Sequence, residues 1–215
     1  MSEPDAIVFV IDDDASVRDA LGTLMRSVDL QCELFSSAEE FLQTARVDAP
    51  SCLILDVRLP GKSGLDFQRE LAKKRIHIPI VFITAHGDIA MSVSAMKAGA
   101  VDFLTKPFRE QDLLDAIHLA LGRARATRRQ EAELASLHER FESLTPRERE
   151  ILPLVVSGLL NKQIAAEIGI SVAAVKVHRS QLIRKMGATS LPGLVRMTEK
   201  LGIPDQASPI YGPPK

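Results

Sequence analysis

The sequence predicts an α/β domain, built on a five-stranded parallel sheet of strand order 2-1-3-4-5, followed by an all-α domain of four helices. In the first half, short apolar runs rich in β-branched residues alternate with helical patterns, as buried parallel strands and their crossover helices do. In the second half the pattern is helical throughout, with short glycine turns. The formal charge also changes sign: residues 1–122 hold 12 Lys and Arg against 19 Asp and Glu, and residues 123–215 hold 15 against 9.

The first half supplies five strands and five helices in alternation. Each strand is a short run with apolar residues on one or both faces, and each helix repeats apolar residues at a spacing of three to four. The predicted strands are residues 6–11, 31–35, 52–55, 79–83 and 101–104. The predicted helices are residues 15–29, a short one from 37, one from 64, 87–99 and 110–121. Strand and helix in this order favour a doubly wound sheet.

Polar residues stand where the predicted strands end. They are Asp12, Asp13, Asp56, Thr84 and Lys106. Because the carboxyl ends of parallel strands open onto one crevice, we expect these side chains to lie together. Clustered carboxylates repel one another unless a cation binds among them, and hard oxygen ligands suit Mg²⁺. An ammonium and a hydroxyl suit a phosphoryl group, so the crevice is a candidate phosphoryl-binding site.

Residues 123–143 are polar and contain neither proline nor glycine, which favours a helix over a flexible tether. We interpret them as a semi-rigid helical linker that continues the fifth helix. Apolar residues recur near its end at helical spacing: Leu134, Leu137, Phe141 and Leu144. This stripe is either a dimer seam or a patch covered by the second domain, and the two interpretations stand equally.

Four short helices follow, each with a start signal. Thr145 as N-cap, Pro146 in the first turn and Glu148 three residues after the cap mark the first helix. Asn161 is predicted to cap the second, which Gly169 ends. Gly158 is predicted to end the first helix. Ser171 is predicted to cap the third helix, which runs to about residue 186, and a fourth helix is predicted over 191–201. Helix, short turn and helix in this arrangement predict a helix-turn-helix.

The charged residues of the third of these helices are all basic. Between Ser171 and Lys185 there are four basic residues and no acidic one, whereas a solvated helix face usually mixes signs. This pattern indicates a polyanion partner. Val172, Val175, Leu182 and Ile183 are predicted to face the core. The residues predicted to contact DNA are Asn161 and Lys162, which would meet phosphates, and Lys176, Val177, Arg179, Ser180, Arg184 and Lys185.

Four motifs of the first half resemble those of a response-regulator receiver domain, whose fold is flavodoxin-like. The motifs are residues 11–14, 55–61, 83–86 and 103–108. The resemblance implies that Asp56 is the phosphoacceptor. It also implies that Asp13 and Asp56 bind Mg²⁺ directly, together with the backbone carbonyl of Arg58, and that Asp12 acts through water. A partner sensor histidine kinase would then supply the phosphoryl group.

Three further residues take roles from the same resemblance. Lys106 would be aimed at the phosphoryl oxygen by a cis bond to Pro107. Thr84 would donate its hydroxyl to the phosphoryl group. Phe103 stands where the family places a switch aromatic, and without a hydroxyl its orientation would depend on packing alone. His86, beside the site, is expected to be a bystander.

Residues 145–150, 161–165 and 171–178 resemble the DNA-binding domain of the NarL/FixJ (LuxR-type) regulators. One departure is the pair Ala173 and Ala174, where the family often carries a threonine before the valine. A missing hydroxyl at that position would alter a phosphate contact without disturbing the fold. The resemblance implies binding to promoter DNA, with RNA polymerase as a further partner.

We expect phosphorylation to repack an apolar surface of the fourth helix and fifth strand, which would favour a homodimer. The residues of that surface are Ile89, Met91, Val93, Met96 and Val101. The alternative is release of an inhibitory contact between the domains without a change in oligomer.

The resulting hypothesis is a phosphorylation-activated transcription regulator, not an enzyme. Its predicted domains are a receiver over 1–122, a helical linker over 123–143, a helix-turn-helix domain over 144–203 and a disordered tail over 204–215. The acidic N-terminus lacks a signal-peptide pattern, no apolar stretch reaches 18 residues, and the two cysteines suit reduced thiols, so we expect a cytoplasmic protein without a membrane span.

Two other classes of protein are alternatives to this hypothesis, and each would require different sequence features. An aspartate-based phosphatase of the dehalogenase type needs Asp-x-Asp-x-Thr after the first strand, whereas residues 12–16 end in serine and no cap domain is visible. A pure interaction module without DNA output would leave the one-signed helix unexplained. A salt-dependent DNA-binding measurement distinguishes the second rival from the hypothesis.

Overall fold

The structure, a computed structural model, describes residues 6–43 and 49–203. The predicted disordered tail and the N-terminal residues used to exclude a signal peptide lie outside this part. The chain divides into two compact units, Met1–Arg128 and Arg129–Lys215. Among the described helices, none is long and apolar enough to cross a membrane.

The first unit is built on the predicted parallel sheet. Its strands are β1 (Ile7–Ile11), β2 (Gln31–Phe35), β3 (Ser51–Asp56), β4 (Ile80–Thr84) and β5 (Asp102–Thr105). They pair in parallel in the order β2-β1-β3-β4-β5, which confirms the predicted strand order. Asp56 and Thr84 close their strands rather than follow them, since their backbones still take part in the ladder. Their side chains therefore have the placement of strand residues and not of loop residues.

Helices pack on both faces of this sheet. They are α1 (Ala15–Ser27), α2 (Ala38–Gln43), α3 (Gly64–Lys73), α4 (Ile89–Lys97) and α5 (Glu110–Glu142). One apolar core contains Phe9, Phe41 and Phe67, whose rings meet edge to face. The core on the other face contains Met25 and residues from the first part of α5. Both faces of the central strands are buried, as a parallel sheet requires.

The second unit contains α6 (Pro146–Val156), α7 (Asn161–Ile168), α8 (Val172–Met186) and α9 (Leu191–Lys200). The capping box predicted for α6 is present: Thr145 Oγ1 accepts from the N–H of Glu148, and the Glu148 carboxylate accepts from the N–H of Thr145. Ser171 caps α8, and Gly169 and Gly187 end α7 and α8 in the left-handed region. These boundaries follow from the sequence signals.

Two local predictions in this unit are wrong. Asn161 is the first helical residue of α7 and not its cap; the cap is Leu160, whose backbone N–H donates to Gln163 Oε1 over 2.8 Å. Leucine has no side-chain acceptor, so this glutamine satisfies the N–H of the cap residue itself and not the first N–H groups within the helix. Val172, predicted to face the core, is 48% exposed because it occupies the first turn of α8, ahead of the buried Val175.

The end of α5 belongs to the core of the second unit. Leu137 and Leu144 are buried among the residues of α6, α7 and α8, and Phe141 packs against the same cluster. Leu134 stays 38% exposed. Of the two interpretations of the apolar stripe, a patch covered by the second unit therefore fits three of its four residues.

Candidate functional site

Three carboxylates meet at the carboxyl edge of the sheet. Asp12 directly follows β1, Asp13 comes next in the chain, and Asp56 ends the adjacent strand β3. One carboxylate oxygen from each lies within 4.8 Å of the others. Asp12 is fully buried, Asp56 is 7% exposed, and Asp13 faces solvent. The predicted acidic cluster is therefore formed, with one open side.

Lys106, after β5, neutralises part of this charge. Its Nζ donates to Asp12 Oδ2 over 2.7 Å and to Asp56 Oδ2 over 2.8 Å. These two bonds raise the pKa of Lys106 although burial of the ammonium opposes them. Burial raises the pKa of Asp12, against the opposing bond from Lys106. The peptide bond between Lys106 and Pro107 is cis, as the resemblance implied.

Backbone N–H groups hold the carboxylates in place. The N–H of Arg58 donates to Asp56 Oδ1 over 2.9 Å, and the N–H of Asp14 donates to Asp12 Oδ1 over 3.0 Å. Asp14 itself caps α1 through the N–H of Ser16, so Asp12 and Asp13 are not needed for capping. Their carboxylates remain for the site.

Thr84 and Phe103 lie on the neighbouring strands. Thr84 is buried at the end of β4, and its Oγ1 accepts from the N–H of His86 over 3.2 Å. Phe103 is partly buried, with its ring centroid 6.1 Å from that of Phe82. A side chain at Gly87 would come within 2.8 Å of the Phe103 ring. The glycine thus provides the space that this ring occupies.

Gly64 makes the closest backbone approach at the site. A Cβ at this position would lie 2.2 Å from the carbonyl oxygen of Asp56, and the N–H of Gly64 donates to the carbonyl of Val57 over 2.8 Å. Because backbone cannot move aside as the end of a side chain can, only glycine fits here. It brings the loop after Asp56 back against the end of its own strand.

We therefore expect Gly64→Ala to lower the free energy of unfolding by about 1–3 kcal/mol, as overpacking does. Thermal unfolding measures this effect. Gly122→Ala is the matched control, because Gly122 lies in α5 and, apart from its chain neighbours and the adjacent backbone of its own helix, no atom lies within 4 Å of its Cβ position. That change should raise stability by about 0.5–1 kcal/mol. Equal effects of the two substitutions would contradict the steric explanation.

The cluster fits a divalent cation. Three carboxylates and one ammonium leave a formal charge of −2, and one carboxylate is exposed on the open side. Hard oxygen ligands of this kind suit Mg²⁺. Among the described residues this is the one group of three or more acidic, His or Cys side chains placed to hold a metal ion.

In the second unit, the predicted DNA-contacting residues separate into two groups. Lys162, Lys176, Val177, Ser180 and Arg184 are exposed, and Val177 is 54% exposed although it is apolar. They lie on α7 and α8, the two helices of the helix-turn-helix. Their side chains are accessible to a nucleic acid.

The other three predicted DNA contacts take part in bonds within the unit. Arg179 Nη1 donates to Asn161 Oδ1 over 3.0 Å and to the carbonyl of Leu159 over 3.2 Å. Lys185 Nζ donates to the buried Glu148 carboxylate over 2.7 Å and to the carbonyl of Ser143. These bonds tie α8 to its neighbours, a role that the charge pattern alone did not indicate.

Two supporting interactions were not predicted, one of Arg18 and one of Glu148. Arg18 donates from Nη1 to the carbonyl of Asp12 over 2.7 Å, across the start of α1. Glu148 is buried, and bonds from Lys185 and from the N–H of Thr145 lower its pKa although burial opposes them. The capping-box pattern predicts the bond from the N–H of Thr145 to the Glu148 carboxylate. It does not predict the ion pair of Glu148 with Lys185, which lies 37 residues away.

Comparison with known proteins agrees with both units. The family model "Response regulator receiver domain" matches residues 8–118, and "Bacterial regulatory proteins, luxR family" matches residues 142–198. Nodulation protein W of Bradyrhizobium diazoefficiens is 56% identical over 198 residues, which cover 92% of this chain and 87% of that protein.

The chain belongs to the FixJ-like response regulators. Response regulator protein TodT of Pseudomonas putida is 51% identical, with 94% of this chain and 88% of that protein covered. The solved structure of response regulator StyR is 48% identical, with a TM-score of 0.83 and coverage of 92% of this chain and all of that one. A receiver joined to a LuxR-type DNA-binding domain makes this response regulator a phosphorylation-dependent transcription regulator and not an enzyme.

Proposed function

We propose that a sensor histidine kinase phosphorylates this response regulator on Asp56, and that the phosphorylated protein binds promoter DNA as a dimer. The observation that carries the proposal is the site around Asp56: a nearly buried carboxylate beside a second acidic pair and within 2.8 Å of an ammonium. We assign the receiver to residues 1–122, the linker to 123–143 and the DNA-binding domain to 144–203.

The chemistry follows from the positions of the side chains. An oxygen of the Asp56 carboxylate attacks the phosphorus, the bond from phosphorus to the donor's leaving group breaks, and an acyl phosphate forms. Lys106, already bonded to Asp56 Oδ2, then pairs with a phosphoryl oxygen. Thr84 turns its hydroxyl away from the N–H of His86 and toward the same group.

We assign the metal ligands to the carboxylates of Asp13 and Asp56 and the backbone carbonyl of Arg58, with Asp12 acting through water. A bound Mg²⁺ supplies charge stabilisation for the transferred phosphoryl group. Asp13 is the exposed member of the cluster and holds the open side. Arg58 is placed by its N–H bond to Asp56, which brings its backbone to the same edge.

Asp13→Ala should weaken Mg²⁺ binding at least tenfold, because it removes a charged ligand from a site that depends on few of them. Titration calorimetry with MgCl₂ on the unphosphorylated protein measures this without any turnover. Asp19→Ala, an exposed acid on α1, is the control and should bind Mg²⁺ like the wild type. An unchanged affinity in Asp13→Ala would remove this residue from the ligand set.

For DNA we assign phosphate contacts to Asn161 and Lys162 and the reading face to α8. The assigned α8 residues are Lys176, Val177, Arg179, Ser180, Arg184 and Lys185. Lys176 and Arg184 are supported by their exposure and by the absence of acidic residues on α8. Val177 is exposed, and its apolar side chain suits contact with a thymine methyl group. Arg179 and Lys185 already bond within the unit, so for them the proposal requires a second bond from the same side chain.

DNA affinity should fall steeply with salt, because lysine and arginine displace condensed counterions. Lys176→Ala should cost roughly 1–3 kcal/mol on a selected site and little on random DNA, whereas Lys162→Ala should weaken both alike and reduce the salt slope by about 1. Fluorescence anisotropy on a duplex selected from a random pool, and on a scrambled duplex, measures both. Equal losses on the two duplexes for Lys176→Ala would remove it from the reading residues.

A further inference from the structure

We propose that Arg140, near the end of α5, is a positioning residue for DNA binding that holds the C-terminal end of α8. The inference rests on the proposed DNA-binding function. Arg140 lies outside the residues matched by the LuxR-family model, which begin at 142, and outside the DNA-binding domain that the sequence predicted. The inference therefore extends the segment that supports DNA binding to the end of α5.

The central contact is a bond at the end of α8. Arg140 Nη1 donates to the carbonyl of Met186 over 3.2 Å. Met186 is the last residue of α8, its side chain is fully buried, and Gly187 ends the helix at a φ of 69°. The last carbonyls of a helix have no partner within the helix, and a cation beside them is also favoured by the helix dipole. Arg140 supplies both the donor and the charge.

The guanidinium packs directly over Gly187. A Cβ at Gly187 would lie 2.7 Å from Arg140 Nη1, so this glycine leaves the space that the arginine fills. A second bond acts at the same end: Lys185 Nζ donates to the carbonyl of Ser143, just after α5, over 3.1 Å. The last two residues of α8 are thus bound to the end of α5 and the turn after it.

The end of α5 is itself firmly supported. Leu137 is 6% exposed in the core of the unit. The Arg149 guanidinium lies 5.1 Å from the centre of the Phe141 ring and donates to the carbonyl and the carboxylate of Glu142 over 2.8 and 2.9 Å. Arg140 therefore extends from a fixed segment, and its bond fixes the position of α8 relative to that segment.

The middle and the C-terminal end of α8 depend on different elements. Arg179 ties the middle of α8 to Leu159 and Asn161 at the start of α7, whereas Arg140 ties its last residue to α5. Base-edge contacts require atoms within about 3 Å along fixed directions, while contacts to phosphates tolerate small shifts. Releasing the end of α8 should therefore reduce specific binding more than non-specific binding.

The test measures the affinity of the full-length chain for a selected duplex and for a scrambled duplex over a range of salt. Arg140→Met keeps the aliphatic stem and removes the donor and the charge. It should lose about tenfold on the selected duplex, less than twofold on the scrambled one, and keep the salt slope of the wild type. Arg140→Lys retains a cationic donor and should stay within about threefold of the wild type. Thermal unfolding checks that each variant is folded.

Arg196→Met is the matched control, because it removes the same charge from an exposed arginine on α9 of the same unit. It should keep the wild-type ratio of the two affinities. If Arg140→Met fails to fold, Arg140→Gln is measured with the same expectation, since its side chain is too short to reach Met186. Either variant with the wild-type ratio overturns the inference. A uniform loss with a salt slope smaller by about 1 also overturns it, since Arg140 would then be a phosphate contact.

The outcome for the wild type separates this inference from the function on which it rests. Absence of salt-dependent binding to either duplex by the wild-type protein would defeat the proposed DNA-binding function. Normal wild-type binding combined with an unaffected Arg140→Met would defeat the positioning role alone.

Discussion

Asp56→Asn should abolish phosphoryl transfer to the chain. The wild type, incubated with Mg²⁺ and a small phosphodonor, should gain one phosphoryl group that survives acid and is lost in base, as an acyl phosphate is. An amide in place of the carboxylate removes the attacking oxygen and leaves the volume nearly unchanged, so the fold should be kept. Intact-protein mass spectrometry measures the added mass, and we expect a loss of labelling of at least about 100-fold, or more than 2.7 kcal/mol of barrier.

Asp66→Asn is the matched control for this prediction. Asp66 is an exposed carboxylate in the same unit, on the first turn of α3, and lies outside the acidic cluster. Its replacement should leave labelling at the wild-type level. An Asp56→Asn variant labelled as well as the wild type would show that another residue is the acceptor.

The acidic cluster could be predicted from sequence because two rules constrain it. Apolar runs locate the strands, and the chain order of strands and helices fixes the sheet order, so residues at the carboxyl ends of β1 and β3 must be neighbours. Asp12 and Asp56 therefore meet although 43 residues separate them in the chain. Lys106 follows from the same argument, since it directly follows β5, and its bonds to both carboxylates agree with the prediction.

The partners of charged side chains in the second unit could not be predicted in this way. Charge and helical spacing place Arg179 and Lys185 on α8, but whether they face DNA or a neighbouring helix depends on how the helices cross. The same limit applies to Arg140, which the sequence placed in a linker. Its bond to Met186 spans 46 residues and depends on the packing of Leu137, for which periodicity alone allowed two explanations.

Exposure on α4 shows a second limit. The sequence places Ile89, Met91, Val93, Met96 and Val101 on the surface that phosphorylation is expected to repack. Ile89, Val93 and Met96 are 84%, 45% and 46% exposed. Met91 is partly buried against the core, and Val101, just before β5, is 4% exposed within a core cluster. The candidate surface is therefore carried by α4, with Val101 excluded from it.

Phosphorylation should convert the protein from monomer to dimer and raise its DNA affinity by about 10²–10⁴, the gain expected when two binding modules act together. The added phosphoryl group carries nearly two negative charges. Thr84 should then move toward the phosphoryl oxygens, and Phe103, whose ring already lies beside Gly87, should turn inward into the room that Thr84 leaves. This should remodel the exposed apolar face of α4, and a two-fold dimer is the commonest closed assembly for such a face. Sedimentation velocity with and without a phosphoryl mimic measures the change in mass.

Ile89→Glu should keep the mimic-bound protein monomeric and cancel the gain in affinity, since it places a charge on the most exposed residue of the apolar face. Ile89 is the first residue of α4, where the helix dipole favours an acidic side chain, so the substitution should not impair folding. Val28→Glu is the control, because Val28 is 40% exposed just after α1 and lies off this face. It should dimerise like the wild type.

The rival coupling is release of an inhibitory contact between the two units without a change in oligomer. Both couplings raise DNA affinity, but they predict different gains in affinity on DNA that carries one half-site. A dimer should lose most of its gain on DNA that carries one half-site, because its two α8 helices need sites about one helical turn apart. Release should give the same gain on one half-site as on two. Monomers in both states, with affinity rising equally on both duplexes, would defeat the dimer model and leave release as the explanation.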